Sequence, residues 1–94
     1  MAVVVLPRSL IALFPGTPRR LESSGATVRD VIADLDTRVP GMWDRLCETG
    51  PSIRTHVNVF VAGERAELDT PVAGDATVHV IPAVSGGSPA LAAP

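Results

Sequence analysis

The chain has 94 residues, a formal net charge of −2 and 46% hydrophobic content, which suits one domain with a small core and is too short for two. Its arginines are scattered along the sequence and its only aromatics are Phe14, Trp43 and Phe60, so neither a basic stripe nor a stacking platform for nucleic acid is present. Cys47 is the only cysteine, which excludes an intrachain disulfide and fits a reducing compartment.

The apolar start, Met1 to Leu6, is too short to cross a membrane. It has no basic region before it and no cleavage site after it, so a cytoplasmic location is expected. Ala2 to Leu6 is a Val-rich run stopped by Pro7 and predicts a first strand buried on at least one face. Pro15, Gly16 and Pro18 predict a turn, and Arg19 to Ser24 a second strand with little apolar content. Val28, Val31, Ile32 and Leu35 follow at i, i+3, i+4 and i+7, the stripe of an amphipathic helix. Thr27 can cap that helix and Asp30 stands at its N3 position; Pro40-Gly41 must end it. Arg29, Asp30, Asp34 and Arg38 fall on its solvent side.

Met42 to Glu48 reads as a short helix with Trp43 and Leu46 turned inward, broken by Gly50-Pro51. His56 to Ala62 alternates, with Val57, Val59 and Val61 on one face and His56, Asn58 and Phe60 on the other, which predicts a strand half in the core. Ala62-Gly63-Glu64 is a turn, and Glu67 to Pro71 is irregular with room for one short strand. Gly74-Asp75 turns into a final alternating strand, Ala76 to Pro82, with Val78 and Val80 facing one way and Thr77, His79 and Ile81 the other. The element order implies an α+β fold, a mixed sheet with one main helix packed on one face. The domain is expected to span residues 1–84, and residues 85–94, small, uncharged and rich in Gly and Pro, a flexible tail.

The stretch from Gly74-Asp75 through Val78-His79-Val80-Ile81-Pro82-Ala83-Val84 to Gly86-Gly87 resembles the C-terminal signature of the ThiS/MoaD-type ubiquitin-like sulfur carriers. The helix start at Thr27-Val28 and the strand Val57 to Val61 are similar in order and spacing, so the resemblance covers Ala2 to Gly87. It includes the carriers of the cysteine-biosynthesis type, which share Ile81-Pro82-Ala83-Val84 before a Gly-Gly. It implies a β-grasp fold and a protein with no catalytic residue, bound cofactor or metal of its own. In that family an adenylating enzyme of the ubiquitin-activating type consumes ATP to activate the terminal Gly carboxylate. Sulfur then displaces AMP to give a thiocarboxylate, which a biosynthetic enzyme uses. By resemblance the reacting residues here are Gly86 and Gly87. Ser88 to Pro94 depart from the pattern by covering that carboxylate, and the resemblance implies their removal by a JAMM-type zinc metalloprotease between Gly87 and Ser88.

The residues suit that chemistry. A carboxylate is unreactive at neutral pH until activated by another enzyme, so the carrier needs only a thin arm. Glycines lack Cβ and can thread a narrow channel. From Pro82 to Gly87 the arm extends over roughly 16 Å. Phe60 and Ile81 point away from the Val faces of their strands and, with Pro82 and Val84, are the candidate docking residues for the activating enzyme; the plainer reading is scattered surface hydrophobics. His56 and His79 lack a third ligand for a metal, and Cys47 reads as a small buried hydrophobe. A ubiquitin-like modifier that forms isopeptide bonds through Gly87, and an interaction module whose tail is never processed, share all of these features.

Overall fold

Stretches rich in Val can leave water by pairing edge to edge under a helix, and this sets the architecture. The computed structural model describes residues 1–82. Strand β1 (Ala2–Val5) is hydrogen-bonded antiparallel to β2 (Arg20–Ser23) on one side and parallel to β7 (Thr77–Pro82) on the other. Strand β7 also pairs antiparallel with β5 (Val57–Val61), which turns back into β6 (Glu64–Ala66). The sheet order is therefore β2-β1-β7-β5-β6, with β7 in the middle. This is the mixed sheet of a β-grasp fold.

Alternation assigns the faces. Ala2 and Val4 of β1, Val78 and Val80 of β7, and Val59 and Val61 of β5 are buried beneath helix α2 (Val28–Arg38). The helix contributes Val28, Val31, Ile32 and Leu35, each at most 2% exposed. Its start is set as the sequence predicts: Thr27 Oγ1 accepts a hydrogen bond from the Asp30 N–H at 3.2 Å. The turn into it needs a glycine, because a Cβ on Gly25 would stand 2.5 Å from the Val31 backbone nitrogen. Ser23, the one buried polar residue among the described residues, is satisfied in the same turn by accepting from the Gly25 N–H at 3.2 Å.

Four features depart from the sequence reading. Helix α1 (Arg8–Leu13) was not anticipated; it has no side-chain cap and is too short to show a period, but it buries Leu10. Helix α3 (Met42–Leu46) runs into a small hairpin of β3 (Cys47–Glu48) and β4 (Ser52–Ile53). Within α3 the buried residues are Met42 and Leu46, while Trp43 is half-buried against the core. The short strand lies at Glu64–Ala66 and not within Glu67 to Pro71, because Ala62 (φ 52°) and Gly63 (φ 85°) form a two-residue hairpin turn that lets pairing resume at once. The strand predicted from His56 starts at Val57.

Ile32 sits 2% exposed at the centre of the helix–sheet interface. Truncation there removes apolar contacts that the strands cannot refill. Ile32→Ala should lower the unfolding free energy by about 2–5 kcal/mol in a urea titration. A loss below about 0.5 kcal/mol, the range of a surface substitution, would contradict this core assignment.

Candidate functional site

The residues that face away from α2 form the open side of the sheet. Pairing register strings a row of them across all five strands: Arg20, Val5, His79, Phe60 and Arg65. Next along β7 stands Ile81, opposite Asn58 of β5. Ile81 is 45% exposed, and Phe60 is half-buried. Two of the candidate docking residues thus lie on one face of adjacent strands, as their alternation predicts. Pro82, the third, closes β7 opposite Val57 and is exposed. Val84, Gly86, Gly87 and Ser88 lie outside the described residues, as does the boundary drawn between residues 84 and 85.

Around Pro82 the fold gathers elements that the sequence left apart. One groove is lined by Leu10 and Leu13 of α1, Leu46 of α3, Val57, Val80 and Pro82, with Arg45 among its polar residues. Leu13 is 50% exposed there. A second groove, on the sheet side of Pro7, joins Arg19, His79, Ile81 and Pro82. The α1 side of this region was missed because the helix itself was missed. The spacing Leu6, Leu10, Leu13 was the available signal. His56 precedes β5, whereas His79 faces Phe60 across the strand pair. Among the described residues no three metal-ligating side chains come together. No helix among them is long and apolar enough to cross a membrane.

Residues 12–87 match the model of the ThiS family. The chain is 30% identical over 93 residues to the sulfur carrier protein CysO of Mycobacterium tuberculosis, an alignment covering 93% of this chain and all of that protein. Among solved structures, the crystal structure of the Amycolatopsis orientalis BexX/CysO complex aligns with a TM-score of 0.83 and 30% identity, covering 93% of this chain and 100% of the matched one. The crystal structure of SAMP1 from Haloferax volcanii aligns with a TM-score of 0.72 and 28% identity, over 92% of this chain and 98% of that chain.

Sulfur chemistry directs attention to the single thiol. Cys47 is 2% exposed at the end of α3. Burial pushes its thiol up to about 11, and the charges of Arg29 and Arg54 offset this only in part. At about pH 8 such a thiol is ionised to roughly one part in a thousand, so it is a poor nucleophile and a poor place to hold transferable sulfur. Because the folded state holds this proton more tightly than the unfolded state, the contribution to stability is present at neutral pH and is lost as the pH climbs toward 11. The sequence has neither Tyr nor Lys, so no other side chain titrates in that window. Stability measured by urea titration should fall through this alkaline range, and Cys47→Ala should flatten that fall. Native protein should also resist alkylation that proceeds at once in denaturant. Rapid alkylation of the native thiol at neutral pH would show that Cys47 is accessible and reactive.

Proposed function

Because the chain belongs to the ThiS family, we propose that it is a sulfur-carrier protein that bears its sulfur as a thiocarboxylate on Gly87. The observation that carries this reading is the reach of the family match, which ends on Gly87, just beyond the middle strand of the sheet. Residues 88–94 are removed first, by a JAMM-type zinc metalloprotease cutting between Gly87 and Ser88. An adenylating enzyme of the ubiquitin-activating type then transfers AMP from ATP to the freed carboxylate. Sulfide displaces AMP, and the thiocarboxylate gives its sulfur to a biosynthetic enzyme. The carrier needs no cofactor and performs no catalysis itself, and its place is the cytoplasm, where ATP-dependent activation occurs.

The rigid part of the chain presents the arm and supplies a surface to hold it in register. Phe60, Ile81, Pro82 and Val84 are the docking residues in this reading, and the placement of the first two on the open sheet face supports it. A matched CysO structure is a complex with BexX, which supports docking onto a protein partner here. The similarity to SAMP1 gives the modifier reading its one specific support, since SAMP1 is named as a small archaeal modifier protein. In that case the same activated Gly87 would be passed to a lysine of another protein.

Residues 88–94 hold the Gly87 carbonyl in a peptide bond, so a form that retains them should not support ATP–pyrophosphate exchange with its cognate adenylating enzyme. A form ending at Gly87 should do so, and adding sulfide should yield the thiocarboxylate. Equal exchange by both forms would contradict masking by residues 88–94; exchange by neither would contradict the carrier assignment.

Phe60→Ala in the Gly87-ended form should weaken binding to that enzyme while shifting the melting temperature little. Earlier melting with unchanged binding would make Phe60 a structural residue instead.

A further inference from the structure

The sequence carries its positive charge in arginine alone: the Lys+Arg total is eight, and all eight are Arg. Scattered in sequence, they are not scattered in space. Arg20 pairs with Val5, which stands level with His79 of β7, at the end of β1 nearer Pro82. Arg19 lines a groove with Pro82, and its Nε donates to the Leu6 carbonyl at 3.3 Å. Arg8 opens α1 directly after Pro7, which lines both grooves with Pro82. Arg45 lines the other groove. The Arg54 carbonyl accepts from the N–H of Val57, the partner of Pro82, and Arg54 Nε donates to the Asp44 carbonyl at 2.8 Å. All five are exposed.

The acidic residues are spread over the fold: Glu64 and Asp75 stand at the opposite end of the sheet, Asp30 and Asp69 lie by the start of α2, and Glu67 shares a groove with Arg54 and Val57. Asp44 and Glu48 are the carboxylates on the α3 and hairpin side of the arm root. Among the described residues the ion pairs are Arg29–Asp69 and Arg38–Asp34, neither of which involves an arginine at the arm root. Around Pro82, a chain with net charge −2 therefore carries more guanidinium groups than carboxylates.

We infer that Arg8, Arg19, Arg20, Arg45 and Arg54 form a docking collar for an enzyme whose arm-receiving channel opens through a rim of aspartate and glutamate side chains. This rests on the carrier reading, in which the arm must enter such a channel. Whatever takes in the arm must face the residues around its root. Opposite charge there speeds encounter and fixes orientation as the arm enters. The overall negative charge and the lack of an aromatic platform disfavour nucleic acid as the occupant.

The absence of lysine carries a second inference about the same collar: arginine supplies the charge without offering an amine to the activated arm. A neutral lysine could attack the adenylated Gly87. A bond would form from its nitrogen to the carbonyl carbon, the bond from that carbon to the AMP oxygen would break, AMP would leave with the electron pair, and the proton would pass to water. A guanidinium stays protonated and does not do this. The activated carrier thereby avoids acylating other copies of itself.

The test uses the Gly87-ended carrier, its cognate adenylating enzyme and ATP. Among the described residues, Arg8, Arg20 and Arg45 are the collar arginines whose side chains make no hydrogen bond, so they can be changed with little effect on folding. Arg8→Gln/Arg20→Gln/Arg45→Gln should raise the KM for carrier on the order of tenfold and flatten its salt dependence, with kcat retained. Arg29→Gln, outside the collar at the start of α2 and already paired with Asp69, should leave KM unchanged. Arg8→Lys/Arg20→Lys/Arg45→Lys should keep a near-normal KM but, without sulfide, build covalent carrier–carrier adducts linked from Gly87 to the new lysines. Wild-type exchange with an unchanged KM in the glutamine variant would overturn the collar, as would a rise in the KM for ATP alone, which would place the arginines on its phosphates. A lysine variant that stays free of adducts through the same turnover would overturn the second inference. Failure of the wild type to support exchange would instead count against the carrier reading itself.

Discussion

The parallel pairing of β1 with β7 is the constraint on which the rest depends. A parallel neighbour cannot be reached by a tight turn, so the chain between the two strands must travel across a face and return. That journey is α2, α3 and the β5–β6 hairpin. It leaves the last strand in the middle of the sheet, hydrogen-bonded on both sides to β1 and β5. Val78 and Val80 fix it from below against the helix. The root of the arm is therefore among the best-anchored parts of the described chain, whereas an edge strand would fray and aim the arm poorly.

The same alternation gives each strand two jobs. In β7 the even-numbered residues Val78 and Val80 hold the core, and the odd-numbered His79 and Ile81 form the open face. A slip of one residue in register would exchange the two sets, so the buried valines also fix which side chains make up the open face. Helix α1 adds a second wall beside Pro82 by burying Leu10 and leaving Leu13 at the surface. Stability and presentation share one set of backbone hydrogen bonds. Damage to the core is therefore expected to reach the open face.

Much of this was legible in the sequence, for physical reasons that apply residue by residue. The alternation at Val57, Val59, Val61, Val78 and Val80 declared two half-buried strands, and the stripe from Val28 to Leu35 with Thr27 before it declared the helix. Helix α1 escaped because six residues behind Pro7 show neither a full period nor a cap. The two-residue strands of the β3–β4 hairpin are shorter than any alternation can reveal. Strand β6 was displaced because the turn before it uses Ala62 in a left-handed conformation, which the residue type does not advertise. The placement of Phe60 and Ile81 on the open face was readable from register, whereas Gly86-Gly87 lie outside the described residues. The arginines on the Pro82 side were not readable as a group, because residues far apart in sequence share that side only once β1, β2, α1 and α3 are in place.

The most direct measurement of the central claim is the intact mass of the protein purified from its own cells. The account predicts a species ending at Gly87 and heavier than the free acid by the difference between one sulfur and one oxygen atom, with the added mass lost on alkylation or hydrolysis of a terminal thiocarboxylate. A population consisting only of chains that retain Ser88 to Pro94, or Gly87-ended chains found solely in isopeptide linkage to lysines of other proteins, would contradict it.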